Sequence, residues 1–326
     1  MTTMRALRLL ADREVALVDA EPPPPPAPDE VRLRVRSVGL NHIDVWGFRG
    51  MAFAKRLYPL TVGAEAACEV VAVGSDVTTL APGDRVVPYS ALTCGVCGAC
   101  RRGRDNLCED VRGVRGFHID GFAQELTNHP ARLAVKIPDG VDWRDAACVA
   151  VAYGTVEHML FDNAGLEPGE TVLVHAGGSG IGSIAIRIAK SIGCTVITTV
   201  GSADKAAKAA ALGADHVINY REDRFEGVVR KLTGKKGVEV VFEHLLPGGA
   251  RRVVADAAVH DGPALAAVLV AVAQQPEVDV VEDERQRHPQ PAHARRELDH
   301  LAGRGQRVAQ RVLELQFVGV RHAGLR

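Results

Sequence analysis

The chain has 326 residues, 24% of them charged, and a formal net charge of -1. That length holds two domains with ordinary cores, and so balanced a charge gives no electrostatic argument for nucleic acid or an anionic membrane. The opening MTTMRALRLLADREV carries charges throughout, with no apolar core of a signal peptide, and the longest apolar run, Ala264 to Ala273, is too short to span a bilayer, so the expected location is the cytoplasm.

Up to about residue 135 short apolar stretches alternate with turn residues: Val31 to Val38, Ala67 to Val73, Arg85 to Pro88 and Phe122 to Leu126. That spacing predicts a compact β-rich domain over 1–135. The proline run Pro22 to Pro26 cannot join a ladder and predicts an extended connector, a ligand for a proline-recognising module being the alternative. Within a lobe at about 90–110, Cys94, Cys97, Cys100 and Cys108 stand in the spacing C-x2-C-x2-C-x7-C. Four thiolates close a tetrahedral zinc completely, so the predicted metal is structural. Arg101, Arg102, Gly103 and Arg104 add positive charge that favours thiolates and a tight turn that lets sulfurs converge. An iron–sulfur cluster uses the same ligands. A pair of disulfides suits a cytosolic chain poorly, and a zinc-finger-like nucleic-acid module suits a chain without net positive charge no better. Cys68, Cys148 and Cys194 lie in apolar surroundings and read as small buried hydrophobes.

From Thr171 the period changes. Thr171 to His175 predicts a buried parallel strand, followed by Gly177-Gly178-Ser179-Gly180-Ile181-Gly182 and a helix with Ile181, Ile184, Ala185, Ile188, Ala189 and Ile192 on one face. A second strand, Thr195 to Val200, leads into the helix Ala203 to Leu212, stopped by Gly213, and strands at Val217 to Ile218 and Val238 to Phe242 continue the alternation. This βαβ pattern predicts a parallel sheet over 136–244, with a pyrophosphate site where the glycines open the first helix. An acid at the end of the second strand would accept from a ribose 2′-OH. Here the strand ends Thr199-Val200-Gly201-Ser202 with Lys205 close behind, and Ser202 and Lys205 donate to phosphate instead, which favours NADP(H) over NAD(H). Ser202 also reads as a helix N-cap.

The two regions together resemble the medium-chain dehydrogenase/reductase family, a GroES-like catalytic domain followed by a Rossmann domain. The residues that carry the likeness are Gly39 to Asp44, Gly63-Ala64-Glu65, Ala81-Pro82-Gly83-Asp84-Arg85-Val86, the cysteine lobe, Asp120 to Ala123, Lys136-Ile137-Pro138, His175 to Gly182, Leu212 to Asp215 and Val217 to Tyr220. It extends over roughly residues 5 to 244. The fold it implies is α/β, a β-rich GroES-like domain plus a doubly wound parallel sheet.

Zinc alcohol dehydrogenases of that family hold a second, catalytic zinc through a Cys in C-H-x-D, a His in G-H-E and a later Cys. The corresponding residues are Asn41, Ala64 and Ala147, with Cys148 one place on. Alanine offers no lone pair and an amide replaces a thiolate poorly, so the resemblance implies one structural zinc and no metal Lewis acid. Asn41 and Asp44 match instead the N-x-x-D of quinone oxidoreductase-like members, which transfer hydride without zinc. Lys205 and Tyr220 resemble the 2′-phosphate contacts of those members. Trp46 stands where several of them carry Tyr, and indole cannot act as an acid at neutral pH. The implied reaction is hydride transfer from NADPH to an enone, quinone or enoyl thioester, with solvent protonating the enolate. Asn41 and His42 are the candidates for orienting nicotinamide or substrate, and Asp44 is their supporting partner. A turn, a phosphate contact and a helix cap are the duller roles open to the three. Alternatives are an alcohol or aldehyde dehydrogenase, and a non-enzymatic cofactor- or RNA-binding protein or inactive product. The implied partners are a small carbonyl or enone substrate and further copies of the chain, as homodimer or homotetramer.

After His244 the likeness breaks off. No G-G-R-x-V strand or later Rossmann strand is legible. Residues 1–244 hold eight lysines beside twenty arginines, whereas the remainder holds eleven arginines and no lysine. The change reads as a frameshift that replaced the native ending, a divergent tail being the alternative. It predicts a Rossmann sheet incomplete at its C-terminal end and loop-like or disordered chain over 245–326.

Overall fold

The computed structural model describes residues 3–50, 57–244 and the strand 268–271. The described chain divides into two compact units with the boundary between Gly154 and Thr155, so residues 136–154 belong with the first, whereas the sequence places the change at 135/136.

In the first unit β1 (Met4–Ala11) and β2 (Glu14–Ala20) form a hairpin, followed by β3 (Glu30–Gly39), α1 (His42–Phe48), β4 (Leu60–Thr61), β5 (Glu65–Val73) and β6 (Arg85–Pro88). The short helix α2 (Gly98–Arg101) lies in the cysteine lobe, and β7 (Leu126–Pro130), β8 (Ala134–Lys136) and α3 (Trp143–Ala147) complete the elements ahead of the π-turns Val149–Tyr153. Among the described residues the strands make an antiparallel sheet in the order β7-β3-β5-β6-β8 and a smaller sheet β2-β1-β4. Alternation explains β3: Val31 and Leu33 are buried, and Arg34 between such positions is exposed. They pack with Val70, Val86 and Phe122 in one core, where a side chain of this size contributes about 1.5–3 kcal/mol by leaving water.

Two expectations shift. The strand expected over Phe122 to Leu126 begins only at Leu126, because residues 121–125 bond irregularly to β1, β3 and the turn after β4. The proline run is the extended connector expected between β2 and β3. The Arg32 guanidinium donates to the carbonyls of Pro23, at 2.6 Å, and Pro24, and the Asn128 side chain donates to Pro24 at 2.9 Å.

The second unit opens with the helical turns α4 (Gly154–Glu157) and His158–Asn163. It continues with β9 (Thr171–Val174), α5 (Gly180–Ser191), β10 (Thr195–Val200), α6 (Ala203–Ala211), β11 (His216–Asn219), α7 (Phe225–Leu232), β12 (Val240–Glu243) and β13 (Val268–Ala271). The strands are parallel in the order β11-β10-β9-β12-β13. From β9 the chain winds outward first through β10 and β11, then on the other side through β12, so the winding reverses between β9 and β12. That reversal is where open α/β sheets bind ligands. Leu173, Ile197, Ile218, Val229 and Val241 fill the core on one side of the sheet. The sequence shows no further sheet strand after His244, yet β13 forms inside the run Ala264 to Ala273 and pairs with β12, Val240 opposite Val268. The rest of the tail lies outside the described residues. Among those described, no helix is long and apolar enough to cross a membrane.

The turn Ala81-Pro82-Gly83-Asp84 is closed by the Asp84 carboxylate, which accepts from the Ala81 N–H at 2.8 Å and pairs with Lys136 of β8 at 2.9 Å. Lys136, and next the Ala81 N–H, hold Asp84 below the usual carboxylate range. A depressed carboxylate stabilises the fold above the unfolded value of about 4, and that gain disappears as pH falls through the folded value. Asp84→Asn is therefore expected to melt below the native chain at neutral pH, with the gap closing on acidification below about 4. Thermal melts across pH check this, and a gap independent of pH contradicts it.

Candidate active site

The four cysteines of the lobe converge. Their sulfurs all lie within 4.8 Å of one another, and Cys94 and Cys100 are 3.9 Å apart. Four bonds of about 2.3 Å to a tetrahedral zinc set sulfur separations near 3.8 Å, so the donor set fits the metal. None of the four is joined in a disulfide. The backbone helps: Cys97 N–H donates to Cys94 Sγ at 3.3 Å, Cys100 N–H to Cys97 Sγ at 3.5 Å and Cys94 N–H to Cys108 Sγ at 3.2 Å. Such donors, the Cys100 N–H first, bring Cys97 down to about 6, whereas burial and the neighbouring sulfurs push Cys100 up to about 12. A divalent cation reconciles the set, because it makes four adjacent thiolates mutually compatible. No other group of three or more metal donors occurs among the described residues.

Asn41 stands at the N-cap of α1, its side chain making no hydrogen bond to the helix, and Asp44 reaches back to it. The Asp44 carboxylate accepts from the Asn41 backbone N–H and from the Gly63 N–H, each at 2.9 Å, which ties the start of α1 to the segment ahead of β5. The Asn41 side-chain amide donates to Glu65 at 2.9 Å. Glu65, the first residue of β5, is 1% exposed, and its other oxygen accepts from the N–H groups of Val151 and Ala152 at 2.8 and 3.1 Å. Burial raises the Glu65 carboxyl above its ordinary value, the three N–H donors pull it back, and Asp44 adds a smaller upward push. The sequence names Glu65 only as part of a motif, and the strand Ala67 to Val73 read there starts two places late. Ala64 and Ala147 are buried. Cys148, expected to be a buried hydrophobe like Cys68 and Cys194, is instead half-buried at the end of α3, its thiol pushed up by burial and by Glu65. His42 is exposed on the first turn of α1, its ring 6.1 Å from that of Trp46.

In the second unit the glycine turn follows β9 as expected. Ser179 caps α5, accepting from the Gly182 N–H at 3.0 Å. A Cβ at Gly182 would lie 2.2 Å from the Ala176 carbonyl oxygen, so the turn requires glycine there, whereas one at Gly180 would meet nothing within 4 Å. Gly180 therefore leaves the mouth of α5 open, where N–H groups and the helix dipole favour an anion. Gly177 is tied to β10 by its N–H to the Thr199 carbonyl, and Ile181 sits partly exposed at the helix start. The Lys205 side chain lies across Gly178, its Cγ and Cδ 2.9 Å from where a Cβ would stand, and the Tyr220 hydroxyl lies beside Gly201. Ser202 is the N-cap of α6, accepting from the Lys205 N–H at 3.4 Å, which realises the duller of its two expected roles. The acid next to Lys205, Asp204, is taken by Lys208 at 2.9 Å.

Two histidines at the reversal between β9 and β12 were not read from the sequence as site residues. The Ser179 hydroxyl meets His244 Nε2 at 3.1 Å. His175 Nδ1 meets the Thr199 hydroxyl at 3.0 Å, and burial, with His244 beside it, lowers its pKa to about 4. Neither follows a motif that its residue type alone makes visible.

Residues 27–139 match the alcohol dehydrogenase GroES-like domain and residues 180–283 the zinc-binding dehydrogenase domain, the second match running past His244. An alcohol dehydrogenase of Geobacillus stearothermophilus is 32% identical, over 68% of this chain and 68% of that one. A 2-haloacrylate reductase of Burkholderia sp is 33% identical over 67% and 59%, and a quinone oxidoreductase of Pseudomonas aeruginosa 36% over 68% and 59%. The chain thus spans about three fifths to two thirds of these relatives. A solved NAD-dependent alcohol dehydrogenase superposes with a TM-score of 0.70 at 39% identity, over 76% of this chain and 71% of that one. With both halves matched in order, the chain belongs to the medium-chain dehydrogenase/reductase family of zinc-type alcohol dehydrogenase and quinone oxidoreductase-like oxidoreductases.

Proposed function

We propose that the chain is an NADP(H)-dependent reductase, carrying one structural zinc, that transfers hydride to an activated double bond or a quinone. The observation that carries this reading is the commitment of Asn41 to Glu65, with alanines buried at 64 and 147. Those three places offer no metal donor set, so polarisation of an alcohol by zinc has no seat among the described residues. The names of two relatives, a haloacrylate reductase and a quinone oxidoreductase, support the same acceptor class.

NADPH, when bound, supplies the hydride. The open mouth of α5 at Gly180 would take its pyrophosphate. In this reading Lys205 and the Ser202 hydroxyl would donate to its 2′-phosphate, with Tyr220 as a further contact. Asp44 holds the loop ahead of β5 and, with both oxygens already accepting N–H groups, is no proton donor. Trp46 is none either. The proton comes from solvent, and His42 is the exposed polar group on α1 beside Trp46.

One zinc per chain is expected by metal analysis of the native protein. Two would favour the alcohol dehydrogenase reading, which the NAD-dependent structural neighbour supports, and iron with sulfide would replace both. Cys97→Ser is expected to lose the metal and the order of the lobe, the site being worth on the order of 10 kcal/mol, seen as zinc release and a lower melting temperature.

Lys205→Ala is expected to weaken NADPH binding about tenfold or more, the worth of one charge-assisted hydrogen bond at about 1.5–3 kcal/mol. NADH binding should stay nearly unchanged. Titration of both nucleotides checks this, and oxidation of NADPH with a quinone and with a haloacrylate tests the reaction. Turnover of alcohols alone would sink the reductase reading.

A further inference from the structure

The Glu65 carboxylate is surrounded on both oxygens by chain segments distant in sequence. Oxygen Oε1 takes the Asn41 amide and Oε2 the backbone N–H groups of Val151 and Ala152. A Cβ on Gly39 would lie 2.6 Å from Oε1, so β3 ends in a glycine to make room for it. The segments it joins, at 39–41 and 151–152, flank the places of the family's catalytic-metal ligands, here Asn41 and Ala147, and Glu65 itself follows Ala64.

We infer that Glu65 is a positioning residue: its carboxylate cross-links the start of α1 to the π-turns and sets the orientation of the Asn41 amide. A carboxylate accepts only, so the amide must present Nδ2 to it. The α1 end is fixed through the backbone instead: the Asp44 N–H donates to the Asn41 carbonyl at 3.0 Å and the Asp44 carboxylate accepts from the Asn41 N–H. Asn41 is thereby held by Glu65 through its side chain and by Asp44 through its backbone, and what reaches the reacting groups is the placement of α1, with His42 and Trp46. This role rests on the reductase reading above; the hydrogen-bond network does not. Titratable groups facing the pair are Asp44 on α1 and Cys148 at the end of α3.

The test is a polarity swap. Asn41→Asp sets two carboxylates face to face, and is expected to lower the melting temperature by several degrees at pH 8 and less at pH 5, where one proton is shared. The double variant Asn41→Asp with Glu65→Gln is expected to recover most of that loss, because the amide introduced on β5 donates to the new carboxylate while its oxygen still accepts the two backbone N–H groups. Glu65→Gln alone, folded by its melting curve, should lower kcat about tenfold to a hundredfold through misplacement, with KM for NADPH unchanged. A double variant no more stable than Asn41→Asp overturns the network. A native kcat in Glu65→Gln overturns the positioning role alone. A native chain that turns over neither quinone nor haloacrylate overturns the reductase reading and the role with it, even where the swap restores stability.

Discussion

A carboxylate removed from water survives only where N–H donors replace its hydration. Glu65 meets that condition with three donors from two distant segments and no cation among them. The first unit is organised around this demand. Asn41, at the start of α1, supplies a side-chain N–H to Glu65. Gly39 must lack a side chain. The turns at 149–153 depart from α-helical bonding, and Val151 and Ala152 spend their N–H groups on the carboxylate. Alanines at 64 and 147 fit the same picture, being small, buried and without a donor atom that would compete.

The second unit obeys a different constraint, the close approach of α5 to the end of β9. Gly182 is a packing requirement, since the Ala176 carbonyl occupies the place of its Cβ, while Gly180 faces open space. The two glycines of one motif therefore do different things, one building the turn and the other leaving room for whatever binds it. The same end of the sheet gathers Ser179, His175 and His244 at the reversal of strand order. The N–H groups at the mouth of α5 suit an anion.

The parallel sheet was legible because β9, β10 and β12 are buried almost throughout and its helices are punctuated by Ser179, Ser202 and Gly213. What stayed hidden had a polar interior. Strand β7 buries Thr127 and His129, so alternation of apolar residues does not mark it, and Phe122 nearby drew the expected strand too early. Strand β5 opens on a charged residue that turns out to be inside. Helix α1 is too short for a period to show. The cysteine spacing foretold the convergence of four sulfurs, since local spacing constrains local geometry, whereas nothing local in Glu65 announces partners 24 and 86 residues away. Strand β13 is hidden for the opposite reason: its four residues sit inside a longer continuous apolar run, which has no period to mark where a strand begins or ends.

These two kinds of cross-link differ in what they can influence. The cysteine ligands all come from Cys94 to Cys108, so a metal there closes a short loop and fixes a lobe, and loop-closure entropy ties little else to it. Glu65 joins segments far apart in the chain, so its bonds are non-local and depend on the whole antiparallel sheet being formed. A charge so placed is stable only in the finished fold, and the finished fold is the state in which α1 is held. The geometry of the first unit's candidate residues is therefore coupled to global folding through hydrogen bonds, while the metal site, although the most visible feature of the sequence, serves a lobe in which none of the proposed reactive groups lies.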